Sequence, residues 1–335
     1  MRKNCLTGTN YLTGIFATSF TILICLASSS FAADETQTPA ESSAKSSAEK
    51  PTETSVETPA DYWTQATEPV YPRGAAISAG QLLVVDSDAP AVWSVAWPAD
   101  ASAQPKRLVT GSRYLRKTIN RPFCATGHPE NGVLVGDAAT REIYHVTEDA
   151  DGEAGQNAKP LNRGYLGIPM ALAVSPDATT LYVGDAERRA VFSLPIEGVG
   201  EDETPELIVR VNARGLVFDA DGALWAVTPD AEAVHKIDVK AKTSEPIVTG
   251  RPYGFPGGIA WDSESKTGFV SDVYGKCVWQ FTADGKTEKW FEGEPLVGPV
   301  GLTVTPEAVV VADPKTTQVY RIDRETKKAT GLFTK

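Results

Sequence analysis

Leu181-Tyr182-Val183-Gly184-Asp185 and Val191-Phe192-Ser193-Leu194 read as two short strands, joined by the polar turn Ala186 to Ala190. The first ends in a carboxylate. The second begins with a β-branched residue and then a ring, six and seven positions past that aspartate. The same arrangement recurs in both directions along the chain. Comparable apolar runs end at Asp86, Asp137, Thr228, Asp272 and Asp313, and six residues beyond them stand Val92, Ile143, Val234, Val278 and Val319. Each of these is followed by a ring (Trp93, Tyr144, His235, Trp279, Tyr320) and, two further on, by Val95, Val146, Ile237, Phe281 or Ile322.

Upstream of each anchor lies another strand signal, as in Pro169 to Val174, Ala213 to Phe218 and Pro299 to Val304. Turn chemistry such as Ser175-Pro176-Asp177 and Asp221-Gly222 separates it from the anchor strand. A weaker fourth strand follows the ring strand, as in Glu288 to Phe291. The anchors are spaced by 51, 48, 43, 44 and 41 residues. That period fits the roughly 40–50 residues of a four-stranded propeller blade. No segment sustains helical periodicity, and no linker interrupts the period as two β-sandwiches would require. The expectation is an all-β, six-bladed β-propeller of four-stranded antiparallel blades over residues 62–335. Two ways of closing the ring stay open: Tyr62 to Tyr71 adds a strand to the last blade, or Ala329 to Phe333 serves there as its fourth strand.

The chain has 335 residues, 43 acidic against 32 basic, for a net charge of −11. An acidic balance of that size argues against nucleic-acid binding, which needs a basic surface to displace counterions from phosphates. The body contains no apolar run long enough for a membrane span. At the N-terminus, Arg2 and Lys3 precede an apolar stretch from Ile15 to Ala27, and Ser30-Phe31-Ala32 has the small residues of a cleavage site. Residues 1–32 are therefore expected to be a signal peptide cut after Ala32, with an uncleaved anchor as the alternative. The bulky Ile24 before Cys25 is wrong for a lipobox. Export to the periplasm or the extracellular space follows, with no membrane span after cleavage.

Residues 33–61 are acidic and rich in Ser, Thr, Glu and Pro, with seven acids, two lysines and Val56 as the only large apolar side chain. Such a segment is expected to be a disordered linker. Residues 62–335 then carry −8. Cys124 and Cys277 remain after cleavage, on blades too far apart to pair, and are expected to be partly buried thiols.

Gly215 to Val227 and Gly301 to Ile322 resemble NHL repeats and the wider group of six-bladed propellers. That group includes the senescence-marker/gluconolactonase lactonases, strictosidine-synthase-like proteins and receptor YWTD modules. The resemblance covers about 270 residues and is specific for architecture, while the fold hosts enzymes and binding modules alike. It implies that ligands meet the loops leading into the innermost strand of each blade. On this alignment the second residue of each lead-in faces the channel mouth: Arg73, Arg121, Met170, Arg214, Gly257 and Val300. The lactonases place Glu, Asn and Asp near these points to hold a divalent cation. Here their Pro-Asn-Gly and Pro-Asp-Gly segments correspond to Pro169-Met170-Ala171 and Pro256-Gly257-Gly258. Arginines in such positions would repel a metal ion.

The mouth is expected to be cationic instead. Neighbouring loops add Arg113-Tyr114, Arg116-Lys117, Arg163-Gly164-Tyr165 and Arg251-Pro252-Tyr253. Guanidinium forks suit carboxylate, sulfate or phosphate, and tyrosine rings suit sugar faces or peptide side chains. The competing account pairs each arginine with an acid on a neighbouring blade. The repeated aspartates are expected to be structural, accepting backbone N–H bonds in the loop after the second strand, with Thr228 doing part of that work. His128, His145 and His235 lack metal-ligand spacing, and G-x-S-x-G, Walker and C-x-x-C motifs are absent.

Two functional expectations follow. The first is an exported, non-catalytic propeller that needs no cofactor and binds an anionic small molecule, an acidic glycan or a peptide or protein partner. The second is a lactonase-like or strictosidine-synthase-like hydrolase or lyase with a degenerate calcium site.

Overall fold

The computed structural model describes residues 62–114, 117–147 and 157–333. The expected signal peptide and acidic linker lie outside them, as does Arg116. After a short 3-10 turn at Tyr62–Thr64, the described residues form 24 strands in six sheets of four. Blade 1 holds β1 (Pro72–Ser78), β2 (Gln81–Asp86), β3 (Ala91–Ala96) and β4 (Lys106–Thr110). Blade 2 holds β5 (Pro122–Gly127), β6 (Val133–Asp137), β7 (Glu142–Val146) and β8 (Ala158–Pro160). Blade 3 holds β9 (Pro169–Val174), β10 (Thr180–Asp185), β11 (Ala190–Pro195) and β12 (Glu206–Val209). Blade 4 comprises β13 (Gly215–Phe218), β14 (Leu224–Val227), β15 (Glu232–Asp238) and β16 (Thr243–Thr249). Blade 5 comprises β17 (Pro256–Asp262), β18 (Thr267–Asp272), β19 (Cys277–Thr282) and β20 (Thr287–Glu292). Blade 6 comprises β21 (Gly301–Val304), β22 (Ala308–Asp313), β23 (Gln318–Asp323) and β24 (Ala329–Gly331). Within each sheet consecutive strands pair antiparallel, giving a six-bladed β-propeller.

Burial follows the sequence pattern. The six β-branched residues that open the third strands are all fully buried, and five of the six rings that follow are buried with them; Trp279 is half-buried. Both faces of these strands pack, because each blade is covered by a blade on either side. Six apolar clusters therefore lie between neighbouring blades among the described residues.

The five anchor aspartates do more than hold the loop that follows. Asp185 accepts N–H bonds from Glu187 and Arg188 after β10, each at 3.0 Å, and from Gly167 (2.7 Å) and Ile168 (3.0 Å) before β9. Asp313 likewise joins Lys315 and Thr316 to Val297 and Gly298. Asp86 joins Asp88 and Ala89 to Val70 and Tyr71. Asp137 holds Ala139, Thr140 and Arg121, and Asp272 holds Gly275, Gly254 and Phe255. Each carboxylate is thus a clip between the lead-in of the innermost strand and the turn after the second strand. In all five blades a proline follows the clipped lead-in: Pro72, Pro122, Pro169, Pro256 and Pro299.

The ring closes between blades 6 and 1. β24 is the fourth strand of blade 6, and residues 65–71 form no strand. Closure comes from packing: Val84 and Trp93 of blade 1 meet Val310, Val319, Leu332 and Phe333 in one cluster. At the axis, β21 approaches β1 so closely that a Cβ on Gly301 would stand 2.6 Å from the Arg73 carbonyl oxygen.

Replacing Asp185 with Ala strands four N–H groups around a buried position and should cost about 3–5 kcal/mol of unfolding free energy. Thr228→Val, which breaks a smaller set of bonds, should cost about 1 kcal/mol. Gly301→Val should cost about 2 kcal/mol or more by overpacking the closure. Urea unfolding of the three variants against the parent checks all three values.

Candidate functional site

Because the clip fixes one or two residues before each proline, the residue after the proline is delivered to the ring axis. These residues are Arg73, Phe123, Met170, Gly257 and Val300, with Arg214 after Ala213 in blade 4. They line a central cavity of about 190 Å³, together with Tyr71, Cys124, Phe255, Val273 and Lys315 among others. Blade 2 corrects the sequence alignment. Arg121 precedes Pro122, and its backbone N–H is held by Asp137 at 2.7 Å, so the channel position belongs to Phe123. The alignment of Pro122 with the other lead-in prolines was the signal for Phe123.

Arg121 nevertheless remains part of the same group. The Arg73 guanidinium lies over the Phe123 ring, 3.9 Å from its centroid, and that of Arg121 lies 6.0 Å from the same ring. Burial lowers the basicity of Arg73; Tyr71 opposes this, and the nearby cations Arg121 and Arg214 add to it. Arg214 is likewise lowered by burial. Both Arg73 and Arg214 stay charged at neutral pH, as guanidinium groups do. Among the described residues no carboxylate lies within 4 Å of any of them, so pairing with acids on neighbouring blades does not occur here. The Nε of Arg214 is buried without a hydrogen-bond partner.

The three Arg–Tyr pairs do not gather at this cavity. Arg113 binds Asp88 at 2.5 Å and the Tyr62 hydroxyl, and the Tyr114 ring meets Trp63 edge-on. Arg163 and Arg251 are exposed and take left-handed backbone angles, φ 51° and 57°. Tyr165 packs edge-on against Phe192, with Arg188 over its ring at 4.5 Å. Tyr253 is buried beside Trp279 and shares a hydrogen bond with Thr287; burial pushes its phenol up to about 12. In the lead-ins of blades 3 and 5 the motif is therefore a joint, its tyrosine wedged against the third-strand ring of the blade it leads into.

Apolar side chains and Lys315 line the rest of the cavity. Phe255, Val273 and Val300 face it from blades 5 and 6, and Phe255 stacks obliquely on the exposed Tyr274, ring centroids 5.3 Å apart. The sequence reading missed Tyr71, Phe255 and Lys315, which flank the lead-ins without repeating. Cys124 and Cys277 are free, and burial pushes both thiols up to about 12. Neither is a thiolate nucleophile at neutral pH.

A calcium ion does not fit this donor set. The six axial positions offer two guanidiniums, a ring, a thioether, a glycine and an isopropyl group, where calcium needs six to eight oxygens. The histidines lie elsewhere. His128 and His145 stack at 3.8 Å, and His235 is the buried third-strand ring of blade 4.

No family model matches this chain, and no curated protein matches it in sequence. Solved structures do match in fold. The propeller in a nidogen/laminin complex has a TM-score of 0.63 at 16% identity, covering 76% of this chain and 93% of that one. Streptogramin B lyase has a TM-score of 0.56 at 12% identity, covering 80% and 84%. The PQQ-bound aldose sugar dehydrogenase of Streptomyces coelicolor has a TM-score of 0.56 at 15% identity, covering 80% and 94%. At these identities the likeness shows the six-bladed propeller, shared by binding and enzymatic proteins alike.

Burial lowers the pKa of His235 and of His128 below the ordinary 6.5. The folded state then holds fewer protons than the unfolded chain. Their contribution to stability is complete above about pH 6.5 and is lost as pH falls through the folded values. Unfolding midpoints measured from pH 8 to 5 should decline over that window, and His235→Phe should reduce the slope.

Proposed function

We propose that this chain is an exported binding module that takes an anionic ligand at the mouth of its central channel and catalyses no reaction. The observation carrying this reading is the convergence of Arg73, Arg121 and Arg214 from three blades, with no carboxylate within ion-pairing distance among the described residues. Arg73 and Arg214 are half-buried and Arg121 is exposed, and guanidiniums without an ion pair retain their hydrogen-bonding capacity for a ligand. They sit on a domain of net −8, so the site is a local positive focus in an otherwise repulsive field. Carboxylate, sulfate or phosphate groups of a small molecule, an acidic glycan or an acidic peptide match it. The facing Phe255, Val273 and Val300 would take the apolar part of such a ligand. Periplasmic or extracellular location belongs to the same proposal and rests on the N-terminal sequence. The hydrolase alternative loses its support with the unsuitable oxygen-donor set.

The test is calorimetric titration with oligogalacturonate and with a glutamate-rich peptide, at low and physiological salt. At least one should bind, more weakly as salt rises. Arg73→Ala/Arg121→Ala/Arg214→Ala should lose at least about tenfold in affinity, since one charge-assisted hydrogen bond alone contributes about 1.5–3 kcal/mol. Unchanged binding in that variant overturns the site. A melting point raised by calcium and lowered by EDTA would return the metal-dependent reading.

A further inference from the structure

The five aspartate clips define what blade 4 lacks. Thr228 stands at its anchor, where Oγ1 accepts the Asp230 N–H at 3.1 Å and donates to the Glu232 carbonyl at 2.8 Å. That holds the turn after the second strand and nothing else. The lead-in residues Val211 and Asn212 precede Ala213, where the other blades have proline, and both are buried. Neither backbone N–H has an acceptor among the described residues.

A cavity of about 310 Å³ opens at this place, lined by Arg189, Arg210, Asn212, Thr228, Asp230 and His235 among others. Two buried side-chain atoms on its wall have no partner: Oδ1 of Asn212, a residue 6% exposed, and Nδ1 of His235, 7% exposed. The amide of Asn212 can turn to present its NH2 instead. The orphaned Nε of Arg214 belongs to the next residue but one of the same lead-in. Blade 5 shows what His235 is missing. There the third-strand ring in the same position, Trp279, donates its Nε1–H to Asp272 at 3.2 Å.

We propose that this cavity binds a small carboxylate whose head group takes the place of the aspartate side chain absent at Thr228. A carboxylate is planar and accepts at both oxygens, as the five clips require. One oxygen serves the lead-in N–H groups and the other the ring nitrogen of His235 as an N–H donor. The rest of the molecule extends toward Arg210, which has no ion pair among the described residues, and the Arg189–Asp230 pair, closed at 2.9 Å. This site is separate from the channel and stands whether or not the channel binds anions.

The experiment is thermal unfolding of the full chain in sodium acetate and sodium formate, against sodium chloride at matched pH and ionic strength. A ligand of the folded state raises the midpoint by mass action, here by about 2–4 °C with saturation. Thr228→Asp supplies the carboxylate from within, and Asp313-Pro314 in blade 6 shows that a proline after the anchor is compatible with the clip. That variant should melt higher in chloride and ignore acetate. Asn212→Leu should ignore acetate as well, and carries the test should Thr228→Asp not fold. Arg73→Gln/Arg121→Gln should respond like the parent. A parent that does not respond, or an anchor or Asn212 variant that responds fully, overturns the proposal. So does a response abolished by the channel double variant, which would place acetate in the channel.

Discussion

Five buried carboxylates organise this molecule. Each reaches back 15 to 18 residues to a lead-in loop and forward two or three to a turn, so one side chain ties the start of the innermost strand to the end of the second. Desolvating a charge is costly, and the bonds offset that cost to different extents. At Asp86 burial prevails and raises the pKa despite the N–H bonds. At Asp272 burial pulls the same way, yet the N–H bonds and the Trp279 ring bring the pKa below its ordinary value. The geometric result is the same in every case. With one or two lead-in residues held and a proline fixing the next, the following side chain is directed toward the axis.

Most of the fold was legible because this constraint is local and repeated. The offset of six from anchor to β-branched residue is the length of one tight turn, and a change in it would move the third strand out of register. The structural role of the aspartates was legible for the same reason, although their reach to the lead-in was not, since it spans the whole inner hairpin. The functional positions do not repeat, and there the reading was partial. Arg73 and Arg214 could be placed because glycine follows each at the start of the inner strand. Arg121 was given the channel position that belongs to Phe123, two residues on, because it stands beside the proline on the side that the clip holds. The Arg–Tyr pairs carried no mark of which way their rings turn. Tyr165 and Tyr253 turn inward because the third-strand rings Phe192 and Trp279 offer apolar surface beside them.

Charge is distributed against the overall balance. The described domain is strongly acidic, yet its axial cavity is lined by Arg73 and Arg214 from two blades and by Lys315 from a third, with Arg121 close by over the Phe123 ring. Elsewhere arginine is neutralised locally, as in Arg189 with Asp230 and Arg324 with Asp262. Arg73 and Arg214 line the axial cavity with no ion pair among the described residues, whereas those two pairs tie neighbouring blades together.

The seam between blades 6 and 1 has a consequence for how the ring behaves. Among the described residues it contains no strand contributed by the opposite end of the chain, so closure is a docking of two surfaces. The entropy of bringing distant ends together grows only with the logarithm of their separation, by about 0.6 kcal/mol for each doubling. A fifth or a sixth blade thus faces nearly the same closure penalty, and blade number is set by the angle at which neighbouring sheets pack. The seam is an interface like the other five, distinguished only by having no peptide bond across it. A chain begun at another blade junction would assemble the same ring.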